Sequence, residues 1–363
     1  MSPPRTEALS SLQALRGVAA LGVVLFHLLT FEQTYMPGTP IVPAAFGVGR
    51  AGVDLFFVLS GFFFAWTTMT SPGGGGESAR FVVRRLTRIY PAYWVYCLLL
   101  LAVHLAVPAR FPADTDVLAS VLLLPTGRPT LLLVSWTLVF EVYFYLVFAV
   151  VLYFGDTAVR RLWMLSVWVG GVVAARFLLS PARSNVALDL VLSPLVLEFL
   201  AGCVAAIISQ AIARVGMRRS VSEAALWGGL SATVLAFVWT ETLYAHPWWR
   251  VCAFGISAAT LLLGCSGNEA WLRRTLPRGL VLLGDASYSL YLSHLLTIGV
   301  AGLVWSHFVA GPSPVSHAAG LAFALGASVM MALLAYRMIE KPLLRGMHPI
   351  DGLLRRFGRV MPA

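Results

Sequence analysis

The chain has 363 residues, of which 59% are hydrophobic and 12% charged, and its formal net charge is +10. A soluble domain carries about 25% charged residues, so this composition, with a mean hydropathy of +0.82, excludes an ordinary water-soluble enzyme. The basic residues fall in short clusters between apolar runs with no aromatic-interleaved basic stretch, which argues against nucleic acid as a partner and for topology signals and anionic-lipid contacts.

Runs of about 17–25 apolar residues can cross a bilayer. Ten are predicted, at 11–31, 51–70, 89–107, 134–154, 162–180, 187–211, 223–241, 250–266, 280–304 and 317–339. The expected fold is therefore an all-α polytopic membrane bundle: one domain over 1–345 and a short basic tail over 346–363. The first run lacks a small-residue cleavage site and is followed by further spans, so it reads as a retained helix.

That first helix carries Arg16 and His27 on an otherwise apolar stretch. Eleven residues at about 100° each return to nearly the same face, and the rise of about 1.5 Å per residue separates the two groups by roughly 16 Å. Ionisable side chains in hydrocarbon are functional candidates by default, although an intramembrane histidine is often structural. The second helix opens on Asp54, which also suits a helix cap near the interface. The Gly73 to Gly76 run reads as a flexible linker.

Next comes Arg84-Arg85-Leu-Thr-Arg88-Ile-Tyr-Pro91. Arg85 and Arg88 are three apart and share a face at the start of the third helix. Planar guanidinium groups suit phosphate recognition; topology signalling and lipid phosphate contact form the competing reading. The stretch 117–124 is too short to span and is expected at an interface.

The fourth helix follows Ser135-Trp136 and carries Glu141. The sixth holds Glu198, read as a helix-to-helix hydrogen bond. The ninth carries Tyr288 and His294. Cys97, Cys203, Cys252 and Cys265 lie in or beside apolar segments without a C-x-x-C pair and read as small buried hydrophobes. No His or Glu spacing resembles a metal-ligand set, so no metal is expected.

Placing the N-terminus inside puts 19 basic residues in inside segments against 6 outside, the bias of the positive-inside rule. Both termini are then cytoplasmic. On this topology His27, Asp54, Glu141 and His294 share an outer-half layer, provided their helices adjoin. An imidazole beside carboxylates in a low-dielectric cavity can act as general base toward a hydroxyl, with the carboxylate fixing its tautomer.

Six stretches, in order from residue 12 to 342, resemble the acyltransferase 3 family of bacterial integral membrane acyltransferases. They are Leu12 to Gly17 with His27, Gly52 to Phe62, Arg84 to Pro91, Ser135 to Tyr145, Gly284 to His294, and Glu340-Lys341-Pro342. The resemblance implies transfer of an acyl group, usually acetyl, from cytoplasmic acyl-CoA to a hydroxyl of a glycan or glycoside, in the bacterial inner membrane. It implies that His27 is the catalytic residue, with the Arg16-x10-His27 pattern essential, and that Arg85 and Arg88 serve the donor. Glu141 matches a recurrent feature of the family; many members follow it with a second acid, where this chain has Val142.

The expected site is therefore His27, Asp54 and Glu141 for chemistry, Arg16, Arg85 and Arg88 for acetyl-CoA or another acyl-CoA, and Trp136, Tyr288 and His294 for the acceptor or the cavity wall. Expected partners are the donor, the glycan or glycoside acceptor and the lipid bilayer; a homo-oligomer is compatible with this picture. The competing class is a transporter of a small polar or anionic solute, which often shows inverted repeats; no repeat is visible in this chain.

Overall fold

Apolar runs that cross hydrocarbon must satisfy their own backbone, and helices do so residue by residue. The computed structural model describes residues 9–42, 44–68, 71–179, 185–215, 219–309 and 311–347, so the predicted basic tail lies almost wholly outside the described residues. The described residues form helices and turns without a strand, and ten helical segments are long and apolar enough to cross a membrane.

In chain order the helices are α1 (Ser10–Tyr35), α2 (Gly52–Thr68), α3 (Gly75–Ala106), α4 (Val117–Leu122), α5 (Trp136–Phe154), α6 (Ala158–Leu179), α7 (Val186–Val191) and α8 (Val196–Val215). They continue with α9 (Arg219–Val238), α10 (Thr240–Ala245), α11 (Pro247–Gly267), α12 (Glu269–Thr275), α13 (Arg278–Asp285), α14 (Ser287–Phe308), α15 (Pro314–Ala335) and α16 (Lys341–Gly346). Leu98, Leu105, Val159, Leu178, Val238 and Met338 are among the large apolar side chains left exposed on the bundle, as a lipid-facing surface requires. The end at which α1 begins is called the proximal end below.

The predicted spans survive with three instructive shifts. The third helix starts at Gly75, not 89, so the arginine cluster is helical. Its 32 residues extend about 48 Å, longer than the roughly 30 Å hydrocarbon core; hydropathy marks only the part inside lipid. The span predicted at 280–304 is broken at Ala286 into α13 and α14. The Gly73 to Gly76 run is not a loose linker. Gly73 and Gly74 take positive φ of 80° and 86°, Gly74 N–H donates to the Leu152 carbonyl at 2.9 Å, and α3 begins at Gly75.

Beside that turn, Arg161 is fully buried and donates to the carbonyls of Gly155 (3.0 Å), Thr68 (2.5 Å) and Ser71 (2.8 Å). A residue read only as a topology signal thus closes the proximal loops. The apolar stretch expected at an interface folds back along α3 as α4. The side chains of Tyr93, Trp94 and Tyr90 donate to the carbonyls of Ser120, Val121 and Leu122 at 2.5, 3.0 and 2.9 Å. Cys97, Cys203 and Cys265 are buried free thiols, whereas Cys252 is exposed.

The core joins α2, α3, α5 and α8 through aromatic rings. Phe144 stacks on Phe199 at 4.5 Å between centroids, and Phe64 meets Phe81, Tyr145, Phe148 and Phe199 within 5.7 Å. α2 and α8 cross closely because both present glycine. A Cβ on Gly61 would stand 2.0 Å from the Phe199 carbonyl oxygen, and one on Gly202 1.9 Å from that of Val58. Small residues are what allow such an approach in membranes. Gly202→Ala is expected to destabilise the bundle by about 1–3 kcal/mol through overpacking, read as a lower thermal midpoint in detergent. Gly228→Ala, where a Cβ would meet nothing within 4 Å, should leave the midpoint unchanged.

Candidate active site

A cavity of about 290 Å³ opens among α1, α2, α3, α5 and α14. Its proximal part carries Gln13, Arg16, Thr67, Arg85 and Arg88; its far part is walled by Val53, Phe56, Thr137, Leu138 and Tyr291. The Arg85 guanidinium lies over the rings of Phe64 at 4.5 Å and Phe81 at 5.3 Å, and donates to the Thr67 hydroxyl at 3.4 Å. Arg16 reaches Gln13 Oε1 at 3.5 Å and lies 5.9 Å from the Phe63 ring centroid. Arg88 stands 3.7 Å from a Glu340 oxygen. Glu141 lines the same cavity and accepts from the Ser60 hydroxyl at 2.9 Å. Three guanidiniums against the carboxylates of Glu141 and Glu340 favour an anionic guest.

Tyr288 lines the cavity and donates to the Ile89 carbonyl at 2.8 Å. Tyr291 closes the far end: its hydroxyl donates to the Val134 carbonyl at 2.8 Å and meets the Thr137 hydroxyl at 2.6 Å, while its ring meets Phe56 at 6.2 Å. Behind it lies a histidine pair. The rings of His27 and His294 are 5.1 Å apart, and that of His294 is 5.8 Å from Tyr291. His294 Nδ1 faces two carbonyls, Tyr291 at 2.7 Å and Leu290 at 3.2 Å. Carbonyls only accept, so Nδ1 carries the proton. Nε2 is buried without a hydrogen-bond partner, which leaves its lone pair free.

The predicted layer of four polar residues therefore divides. His27 and His294 meet. Glu141 sits with the arginines on the other side of Tyr291. Asp54 joins neither group: it is fully buried, held by Arg250 Nε at 2.7 Å and Nη2 at 3.1 Å, with the Tyr244 hydroxyl donating at 2.7 Å. The reason lies in the chain path. Counting depth at about 1.5 Å per residue from the predicted start of the second span places Asp54 near the surface, but the segment Ala44–Ala51 folds back along α1, and Gly52 packs on Ala19. His27 lies about 12 Å farther along α1. Glu198 is fully buried beside the Asp54–Arg250 pair, not in the cavity. Trp136 is 44% exposed and lies outside the cavity wall, against Phe140.

Ser60, Thr67, Tyr145, Tyr291 and Glu340 were not foreseen, although four of them stand inside the motifs quoted above. Thr67 lies just past the second motif. A tyrosine or serine in an apolar run carries no charge to draw notice. Arg250, in the first turn of α11, carries no motif of its own; the signal available was that a carboxylate in a membrane helix needs a partner. Burial and the neighbouring Asp54 push the Tyr244 phenol well above its ordinary pKa, so it remains a donor.

Ten membrane-length apolar helices among the described residues, five of them around an arginine-lined cavity with a histidine pair behind it, define a polytopic membrane protein with an internal polar site. The chain belongs to the acyltransferase 3 family, whose acyltransferase domain matches residues 9–337, and it is accordingly a transferase of acyl groups. It is 31% identical over 324 residues to the exopolysaccharide production protein ExoZ of Rhizobium meliloti (strain 1021), covering 83% of this chain and 91% of that protein. It is also 31% identical over 328 residues to the acyltransferase MdmB of Streptomyces mycarofaciens, covering 82% and 80%. No solved structure matches the chain.

The Asp54–Arg250 pair can be tested apart from the chemistry. Arg250→Ala strands a buried carboxylate and is expected to cost about 3–5 kcal/mol of stability, while Asp54→Asn with Arg250→Met should cost far less. Thermal unfolding in detergent reads both. A loss of turnover in Asp54→Asn at an unchanged midpoint would instead return Asp54 to the chemistry.

Proposed function

We propose that this protein moves an acyl group, acetyl first among them, from acyl-CoA to a hydroxyl of a glycan or glycoside, with His27 as general base. The observation that carries the reading is a single line of contacts. It runs from Arg85 and Arg88 through the cavity to Tyr291, then to His294 and His27. A CoA nucleotide bears phosphates and cannot enter hydrocarbon cheaply. Arg16, Arg85 and Arg88 would hold it at the proximal end, and its slender arm would occupy the apolar part of the cavity. The distance of roughly 16 Å from Arg16 to His27 along α1 is of the order of that arm.

In the reaction, His27 accepts the proton of the acceptor hydroxyl as its oxygen attacks the thioester carbonyl carbon. The carbon–sulfur bond breaks, and the departing thiolate takes the proton back from the imidazolium. His294, with Nδ1 on carbonyls and a free Nε2, keeps a polar surface beside the base. Glu141 balances Arg16 and Arg85 at the donor end. Asp54 is assigned to the stability of the bundle. For the thioester to meet His27 the Tyr291–Phe56 partition has to open, so that movement is part of the reading.

The excess of basic residues in segments on the α1-start side supports a cytoplasmic proximal end, where acyl-CoA is made, in a bacterial inner membrane. The acceptor would then approach from the other side. That the relative ExoZ is an exopolysaccharide production protein favours a surface-polysaccharide unit.

Membranes holding the protein are expected to pass label from radiolabelled acetyl-CoA to acceptor. His27→Ala should lower the rate by about 10²–10⁴-fold with unchanged membrane insertion. Near-full transfer by that variant would end the general-base assignment. Mass spectrometry of surface glycans from a deletion strain should show lost acetyl groups, and unchanged acetyl content would remove the polysaccharide acceptor.

A further inference from the structure

Glu340 lies just beyond the interval matched by the family, in a Glu340-Lys341-Pro342 motif that the proposed reaction leaves without a role. Its placement follows from the proline. Pro342 has no N–H, and in an α-helix its ring would press on the carbonyl of Met338, four residues back. The chain widens instead into a π turn over Tyr336–Glu340, in which Lys341 N–H bonds the Tyr336 carbonyl five residues back. Such single turns are frequent at functional sites.

The extra residue shifts the buried stripe of the helix. Ser328, Ala332 and Ala335 are buried at helical spacing, and the next buried position is Glu340, a step of five. Without the widened turn the inward position would fall on Met338 or Ile339. The π turn thus replaces an apolar side chain with a carboxylate, 1% exposed, against α3 and α14.

Each oxygen of that carboxylate has a different neighbour. Oε2 accepts from the Ser289 hydroxyl at 2.6 Å. Oε1 is buried without a hydrogen-bond partner and stands 3.7 Å from Arg88 Nη2; its charge also acts on Arg16. Burial lowers the effective dielectric around this carboxylate, so it attracts Arg88 more strongly than a surface pair would at the same distance. Ser289 fixes the carboxylate, the carboxylate fixes one edge of the guanidinium, and the rest of Arg88 faces the cavity.

We infer that Glu340 is the positioning residue for Arg88, holding its guanidinium at the cavity wall in the orientation that receives a phosphate group of the donor. The inference rests on the reading of the arginine end of the cavity as the donor site. Glu340 touches no reacting atom, and its effect passes through Arg88. The same charge draws the guanidinium toward the cavity wall and away from lipid headgroups.

The test is saturation kinetics of the full-length protein in detergent or vesicles, with acetyl-CoA as the varied donor. Arg88→Ala is expected to raise the donor KM. Glu340→Gln keeps the acceptor for Ser289 and removes the charge, and should raise the donor KM by about tenfold with kcat and acceptor KM within about twofold. In the Arg88→Ala background the same substitution should add less than about twofold, because the residue it positions is gone. Multiplying effects, or a change in kcat alone, would overturn the inference. If Arg88→Ala left the donor KM unmoved, the donor-site reading would fall; if it moved while Glu340→Gln did not move it, the positioning role alone would fall. Should Glu340→Gln fail to accumulate, Ser289→Ala frees the carboxylate without removing it, and its donor KM decides the question in the same way.

Discussion

A charge inside hydrocarbon survives only where protein answers it, and that requirement orders the interior of this bundle. Asp54 is held by Arg250 and Tyr244. Arg161 is spent on three backbone carbonyls. Glu32 accepts from the backbone of Ile41 and Val42 at 2.6 and 2.9 Å and pairs with His317 at 2.7 Å. The second nitrogen of His317 faces the Pro37 carbonyl at 3.0 Å, and these contacts tie the loop after α1 to α15. Against these closed arrangements the arginine cavity stands out. Arg16 and Arg85 meet a glutamine, a threonine and aromatic faces, partners that leave most guanidinium N–H groups for a guest.

The closed pairs do more than remove penalties. Each links elements far apart in sequence: Asp54 and Arg250 join α2 to α11, and Arg161 joins α6 to the end of α2. The hydrophobic effect discriminates little between helices already in lipid. Directional polar contacts and close glycine crossings such as Gly61 with Gly202 therefore select which helices adjoin. These contacts fix α2, which forms one wall of the cavity together with α1, α3, α5 and α14.

What the amino-acid sequence made legible follows the same division. Helix number and the Arg85–Arg88 face could be read directly, because hydropathy and the three-residue spacing act within one segment. The axial distance from Arg16 to His27 was legible for the same reason. The common layer of His27, Asp54 and Glu141 was not a local property. It depended on where α2 begins beside α1, and the returning Ala44–Ala51 segment, too short to register as a span, shifts that start toward the proximal end. The partner of Asp54 lies 196 positions away, and nothing in the neighbourhood of either residue announces the other. The π turn at Glu340 was equally hidden, although Pro342 is its physical cause.

The separation of the two polar centres has a chemical consequence. In the proposed reaction the arginine end of the cavity and the histidine pair behind Tyr291 make opposite demands on solvent. Phosphate groups need hydrated or guanidinium surroundings, whereas a thioester near an activated hydroxyl is exposed to hydrolysis if water is free to enter. The Tyr291 ring, pinned through its hydroxyl to Val134 and Thr137, stands between these demands. Its place between the cavity and the pair suits a partition against water. Under the proposed reaction a donor arm long enough to displace it would bring the thioester with it, so the barrier against water and the condition for transfer would reside in one side chain.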